Sequence, residues 1–136
     1  MRQLAIALLS LVLATEAQAQ SLKEKFELSE RCGKQAAERF AKFQSEHGLS
    51  SQPFNYENHY NSPLNKCFYL ETFFLLGSEP SSVTIVKTLV DLHENREIGR
   101  YHKPRENDRQ RRCSVQEKQC TSEEEWRSLI KPFMED

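Results

Sequence analysis

Apart from the N-terminus, the most apolar run in the chain is Cys67 to Leu76, Cys-Phe-Tyr-Leu-Glu-Thr-Phe-Phe-Leu-Leu. Only Glu71 and Thr72 interrupt it, and Gly77 ends it. Aromatic and large aliphatic residues without a helical period predict a strand buried on both faces. One face carries Phe68, Leu70, Thr72, Phe74 and Leu76; the other carries Cys67, Tyr69, Glu71, Phe73 and Leu75. Upstream, Leu22, Phe26, Cys32, Ala36, Phe40 and Phe43 recur at roughly helical spacing, and Lys23, Glu24, Glu30, Lys34, Glu38, Arg39 and Lys42 fill the other face. They predict one long helix from Leu22 to His47. The pair Ser21 and Glu24 has capping-box spacing at its start, and Gly48 is a natural stop. Gly33 inside it costs about 1 kcal/mol relative to Ala and permits a bend or a close approach beside Cys32.

Between helix and strand, Leu49 to Pro63 holds Pro53, Pro63, three Asn and three Ser, and is predicted to be a loop. It also carries Phe54, Tyr56, His59 and Tyr60, an unusual number of rings for a polar loop. They either cover an open edge of the core or form a ligand surface. After a turn at Gly77 to Ser82, β-branched residues predict a strand over Val83 to Leu92. A turn at His93 to Arg96 leads to a strand over Glu97 to Lys103, where Gly99 marks a bulge. Cys113 to Cys120 reads as a hairpin over Gln116-Glu117. Ser122 and Glu125 repeat the capping spacing. Trp126, Leu129, Ile130, Phe133 and Met134 then fall on one helical face, which Pro132 should kink or end early. The layout is α+β: a long N-terminal and a short C-terminal helix packed on a small antiparallel sheet of three to five strands, with two disulfides.

The N-terminus changes the picture of where the domain starts. Arg2, the apolar Leu4 to Leu13 and the Ala17-Gln18-Ala19 site have the order of a secretory signal. The apolar part is too short to span a bilayer, and no later stretch is long and apolar enough. We therefore expect a signal peptide over 1–19 and a single domain over 20–136, periplasmic or secreted and monomeric. The net charge of −1 argues against a general nucleic-acid or anionic-membrane binder. The one basic cluster runs from Arg96 to Arg112, with seven Lys or Arg against three acids, and its charges do not alternate with rings. Such a run is a solvated loop, or a binder of phosphate, polyanion or an acidic partner.

The chain has four cysteines, all after the expected cleavage site. In an exported protein they read as two disulfides rather than zinc ligands, since no C-x-x-C or close His pair is present. Four cysteines allow three pairings. Cys32–Cys67 would tie the helix to the central strand, and Cys113–Cys120 would close the hairpin. Loop entropy values them at about 3.8 and about 2.5 kcal/mol, and does not itself select them. Proximity in a plausible fold does.

No strong catalytic signature is present: no G-x-S-x-G, Gly-rich phosphate loop, H-E-x-x-H or C-x-x-C. The four His, His47, His59, His93 and His102, fall on separate elements. No metal and no cofactor is expected. The sequences His59-Tyr60-Asn61, Leu64-Asn65-Lys66-Cys67-Phe68, Glu94-Asn95-Arg96-Glu97, the Cys113/Cys120 pair and Phe133-Met134-Glu135 resemble a family of small exported bacterial proteins with no assigned activity. The resemblance implies export, disulfides and the domain boundary. It also implies that Pro104 to Arg112 is a variable insertion. It transfers no catalytic residue. The function expected first is a non-enzymatic module binding an envelope or extracellular protein through Tyr56, His59 and Tyr60. A small hydrolase or metal-dependent enzyme using His59 with Glu57 is the second expectation. A structural or stress-related envelope protein without a discrete ligand is the third.

Overall fold

The computed structural model describes residues 2–47, 54–76, 83–103 and 112–136, with side chains from Ser21 onward except those of His47 and Leu76. The turn expected at Gly77 to Ser82, Gly48, and the basic segment Pro104 to Arg112 as far as Arg111 lie outside the described residues. The elements are α1 (Arg2–His47), β1 (Phe54–Asn61), β2 (Lys66–Leu76), β3 (Val83–Asp91), β4 (Arg96–Lys103), β5 (Arg112–Val115), β6 (Lys118–Gln119) and α2 (Glu123–Met134). All strands pair antiparallel in the order β1-β2-β3-β4-β5-β6. The α+β layout and both helices are as expected, and the sheet has six strands instead of three to five.

The additional length comes from β1, which occupies the stretch expected to be a loop. Phe54, Tyr56 and Tyr60 alternate with polar residues at the strand period of two, and Pro53 and Pro63 bracket the strand without interrupting it. At the start, α1 begins at Arg2, so Ser21 is inside the helix and does not cap it. The Ala- and Leu-rich residues before it are good helix formers and leave nothing to stop the helix there. Phe26, expected in the core, is 68% exposed, as is Leu22 at 69%. A helix of 46 residues is roughly 70 Å long, about twice the span of the longest strand. Its apolar stripe therefore continues past the sheet.

Two cores lie on the two faces of the sheet. On one, α2 brings Trp126 and Ile130 onto Phe68, Leu70, Leu89, Ile98, Tyr101 and Val115. Ser122 caps α2 by accepting the Glu125 N–H at 3.1 Å, while the Glu125 carboxylate accepts from the Thr121 N–H at 2.6 Å. Pro132 does not stop α2 at that point; the helix continues to Met134. Proline in the last turn removes a single hydrogen bond, and the free terminal carbonyls find another donor: Asn61 Nδ2 reaches the carbonyls of Pro132, Phe133 and Glu135 at 3.0, 3.4 and 3.2 Å.

On the other face, Ala36, Tyr69 and Val90 form a small buried cluster with Phe40 and Tyr56 against it. Phe40, Phe43, Phe54 and Phe73 stack beside it at ring separations of 4.2–5.3 Å. The disulfides are Cys32–Cys67, joining α1 to β2, and Cys113–Cys120, across the last hairpin, and all four cysteines are buried. The expectation that β2 is buried on both faces holds for Cys67 to Glu71, whereas Leu75 is 41% exposed. In β4 the bulge sits where Gly99 suggested. Leu89 pairs with Gly99 and Val90 with Glu97, so Ile98 has no opposite number. The Ile98 carbonyl accepts instead from the Gln116 N–H at 2.6 Å.

Candidate functional site

The strand period decides what becomes of the three residues singled out in the aromatic stretch. Tyr56 and Tyr60 point to the α1 side of β1, and His59 points to the α2 side. The three do not share a surface. Tyr56 is part of the helix–sheet packing, with its ring 4.7 Å from Phe40 and 5.4 Å from Tyr69. Tyr60 Oη donates to Asn65 Oδ1 at 2.8 Å within its own hairpin. His59 Nε2 lies 3.2 Å from Asp136 Oδ1. The same carboxylate is bonded to Lys25 Nζ and the Ser62 N–H, and these partners hold its pKa below the usual aspartate value. Glu57, the carboxylate paired with His59 on sequence grounds, sits two residues earlier on the same face of β1 and is exposed. Among the described residues, no group of three or more His, Cys, Asp or Glu is placed to hold a metal ion.

A different constellation lies on the α1 side. The register aligns Tyr56, Glu71, Thr88, Arg100 and Ser114 across five strands, on one face. The neighbouring row is Phe73, Val86, His102 and Arg112. α1 packs mainly on β1 and β2. From it Arg39 crosses the sheet: its Cζ lies 5.5 Å from the centre of the Tyr69 ring, and its Nη1 donates to Asn95 Oδ1 at 2.8 Å. Glu71 is 7% exposed and Tyr69 is fully buried. Three buried polar atoms here have no hydrogen-bond partner: Arg39 Nε, Tyr69 Oη and Glu71 Oε2. Buried polar atoms are nearly always paired, so three in one neighbourhood mark a place that the packing alone does not complete.

The electrostatics follow from the burial. Desolvation raises the Glu71 pKa; Arg39 and Arg100 oppose it, Glu97 adds to it, and a hydrogen bond from Thr88 opposes it. Burial likewise raises the Tyr69 phenol, helped by the Glu71 charge. Arg100 is itself paired with Glu97 at 2.5 Å. The site thus joins a carboxyl biased toward its neutral form, a neutral phenol and a guanidinium whose Nε–H is unused.

On the other face Trp126 Nε1 is also buried without a partner, alone in the α2-side core among the described residues, whereas the buried Asp91 and Asn61 are engaged in structure. Asp91, with no exposure, accepts from Lys66 Nζ at 2.7 Å and from the His93 and Glu94 N–H groups at 2.9 and 3.2 Å. Asn61 caps the preceding hairpin in the same way, accepting from the Leu64 N–H at 3.0 Å. Four residues after each of these Asx caps stands an Asn in the left-handed region, Asn65 (φ 51°) and Asn95 (φ 49°). The two hairpins therefore share one turn design, Asx-x-x-x-Asn followed by Lys or Arg, which sequence reading missed as a repeat. Sequence reading also passed over Arg39, placed among the solvated residues of α1, and treated Glu71 as an interruption. The available signal was a carboxylate centred in a strand otherwise apolar on both faces.

Comparison with protein-family models, with curated proteins and with solved structures finds no match to this chain.

Proposed function

We propose that this chain is a non-enzymatic, periplasmic or secreted binding protein whose recognition surface is the α1-side face of the sheet around Arg39, Tyr69, Glu71 and Arg100. The observation that carries the reading is the convergence there of three buried polar atoms without partners. Two disulfides support an oxidising compartment. Among the described residues no helix is long and apolar enough to cross a membrane. The test is affinity capture from an envelope extract with the oxidised chain as bait, wild type beside the Arg39→Gln/Arg100→Gln double variant. A partner held by wild type and lost by a folded variant supports the role. An empty capture at low salt, or one that the variant retains, overturns it. Export is tested separately by N-terminal sequencing of the protein recovered from periplasm or medium. A start at Gln20 supports it, and a start at Met1 refutes it.

A second reading, a small hydrolase using His59, draws on the oriented pair of His59 with Asp136. A carboxylate holding one imidazole nitrogen is one part of an acid–base arrangement. Hydrolytic activity lost on His59→Ala with the fold intact would favour it.

A further inference from the structure

We infer that the ligand group recognised on the α1-side face is a carboxylate, held between Arg39 and Arg100 above the Tyr69 hydroxyl and the Glu71 carboxyl. The inference rests on the binding role proposed above and names the chemistry of its ligand. Three features carry it.

The first is a count of unused hydrogen-bonding atoms. Arg39 Nε–H can only donate. The Tyr69 hydroxyl donates one hydrogen, and Glu71 Oε2 donates when the carboxyl is protonated. All three are buried and unpartnered. An acceptor-rich ligand group satisfies Arg39 Nε–H and the Tyr69 hydroxyl, and Glu71 Oε2 as well when that carboxyl is protonated, whereas an ammonium satisfies none of the donors and would face Arg39. The second is the Arg39 geometry. Nη1 is committed to Asn95 Oδ1, while Nε is unpartnered. The Nε edge of a guanidinium is one that a carboxylate takes side-on, which gives the short charge-assisted bonds. The third is the register. It places Arg100, His102 and Arg112 with Glu71 on one face of β2–β5. The basic side chains of β4 and β5 thus stand beside the cluster, and the carboxylate nearest to Arg100 is Glu97, its partner.

Glu71 makes the recognition pH-dependent. The groups facing it are Arg39 from α1, Tyr56 from β1, Tyr69 on its own strand, Thr88 from β3, and Arg100 with Glu97 from β4. Its raised pKa keeps it closer to the neutral, donating form than an exposed glutamate. As pH rises and it ionises, it becomes a like charge to the ligand.

The test is calorimetric titration of the full oxidised chain with a short poly-glutamate peptide, with glutarate, and with a poly-glutamine peptide, at low and at raised salt, above pH 5.5 so that the ligand carboxylates stay ionised. Binding of poly-glutamate and glutarate assigns the carboxylate itself. Binding of the peptide alone assigns an acidic peptide. Both support the inference. Affinity should fall with salt, and by about tenfold or more in Arg39→Gln and in Arg100→Gln, the loss of one charge-assisted pair. Tyr69→Phe, which removes only an unpartnered hydroxyl, should bind more weakly while folding normally. Wild-type affinity should decline with rising pH more steeply than that of Glu71→Gln, whose amide donates at every pH. No binding of either carboxylate probe, equal binding of poly-glutamine, or identical pH slopes overturns the inference. If the probes fail while captured protein is still lost by the double arginine variant, the ligand class falls and the binding role stands. If both fail, both fall.

Discussion

Replacing Glu71 with Gln should make this protein more stable at neutral pH, although it removes a charged residue with two arginines nearby. Glu71 is 7% exposed, and its Oε2 has no partner. A buried acceptor left unsatisfied costs roughly 1–3 kcal/mol, and more when it is charged. Of the attractions that oppose this cost, that of Arg39 is the larger, and Arg39 is already bonded to Asn95. Arg100 is 53% exposed and already bonded to Glu97, and exposed pairs contribute at most about 1 kcal/mol. Gln keeps the shape and the contact with Thr88 without the charge. The expected net gain is about 1 kcal/mol. Its pH dependence fixes the sign independently. The folded-state pKa of Glu71 lies above the ordinary 4.5, so between 4.5 and that raised value the folded chain binds more protons than the unfolded one. Wild-type stability attributable to Glu71 therefore falls as pH rises through this window and is constant above it. Asp91, Glu94, Glu123, Glu125 and Asp136 are shifted the other way, and their contributions are lost as pH falls below the ordinary carboxylate values. Urea unfolding of wild type and Glu71→Gln with disulfides intact, from pH 4 to pH 8, isolates Glu71 in the difference curve. The variant's advantage should be largest at neutral pH and vanish near pH 4. A variant less stable than wild type at pH 7 would show that Glu71 is ionised and well paired in the folded state, and the argument for an incomplete site would fail with it.

Removing Cys32–Cys67 by paired Ala substitutions should cost about 3.8 kcal/mol, against about 2.5 for Cys113–Cys120, from the lengths of the loops they close; denaturant midpoints at equal slope rank them. Asn61→Ala should cost about 2–4 kcal/mol, because it leaves the Leu64 N–H and the α2 carbonyls without their partner, while Asn61→Asp should recover only the turn; thermal unfolding separates the two. Gly99→Ala should be disruptive, since its Cβ would stand 2.7 Å from the Ser114 carbonyl oxygen and 3.0 Å from Val115 Cα, both backbone; loss of amide protection along β4 and β5 in hydrogen exchange would report it.

The parts of the fold legible in the sequence were those where one period dominates. α2, β3, β4 and the two disulfide pairs stand where spacing and proximity placed them. β1 was obscured because Asn55, Asn58 and Asn61 are poor strand formers, and their composition outweighed the period-two alternation of the rings. In the structure tertiary pairing with β2 decides the matter. Phe26 misled because helical period says which face is apolar and not how far the neighbouring sheet extends. The polar site was least legible. Glu71 could be noticed as an anomaly, but its meeting with Arg39 depends on α1 lying along β2, a packing relation between elements distant in sequence. Tyr56, His59 and Tyr60 were grouped by nearness along the chain, which in a strand is what separates them.

The ends of the sheet also bear on how molecules of this chain meet one another. An open strand is a template for pairing with another molecule and hence for aggregation. At one end the outermost strand, β6, has only two residues. At the other, β1 is eight residues long, but Asn55 Oδ1 takes the Tyr56 N–H at 2.8 Å, so that donor is not offered to an incoming strand. Lys25 of α1 meets Asp136 beside His59 and Ser62, which closes the end of the same strand. Among the described residues, the open side of β1 is thus shortened from within and at one end, which narrows the edge on which a second copy could grow.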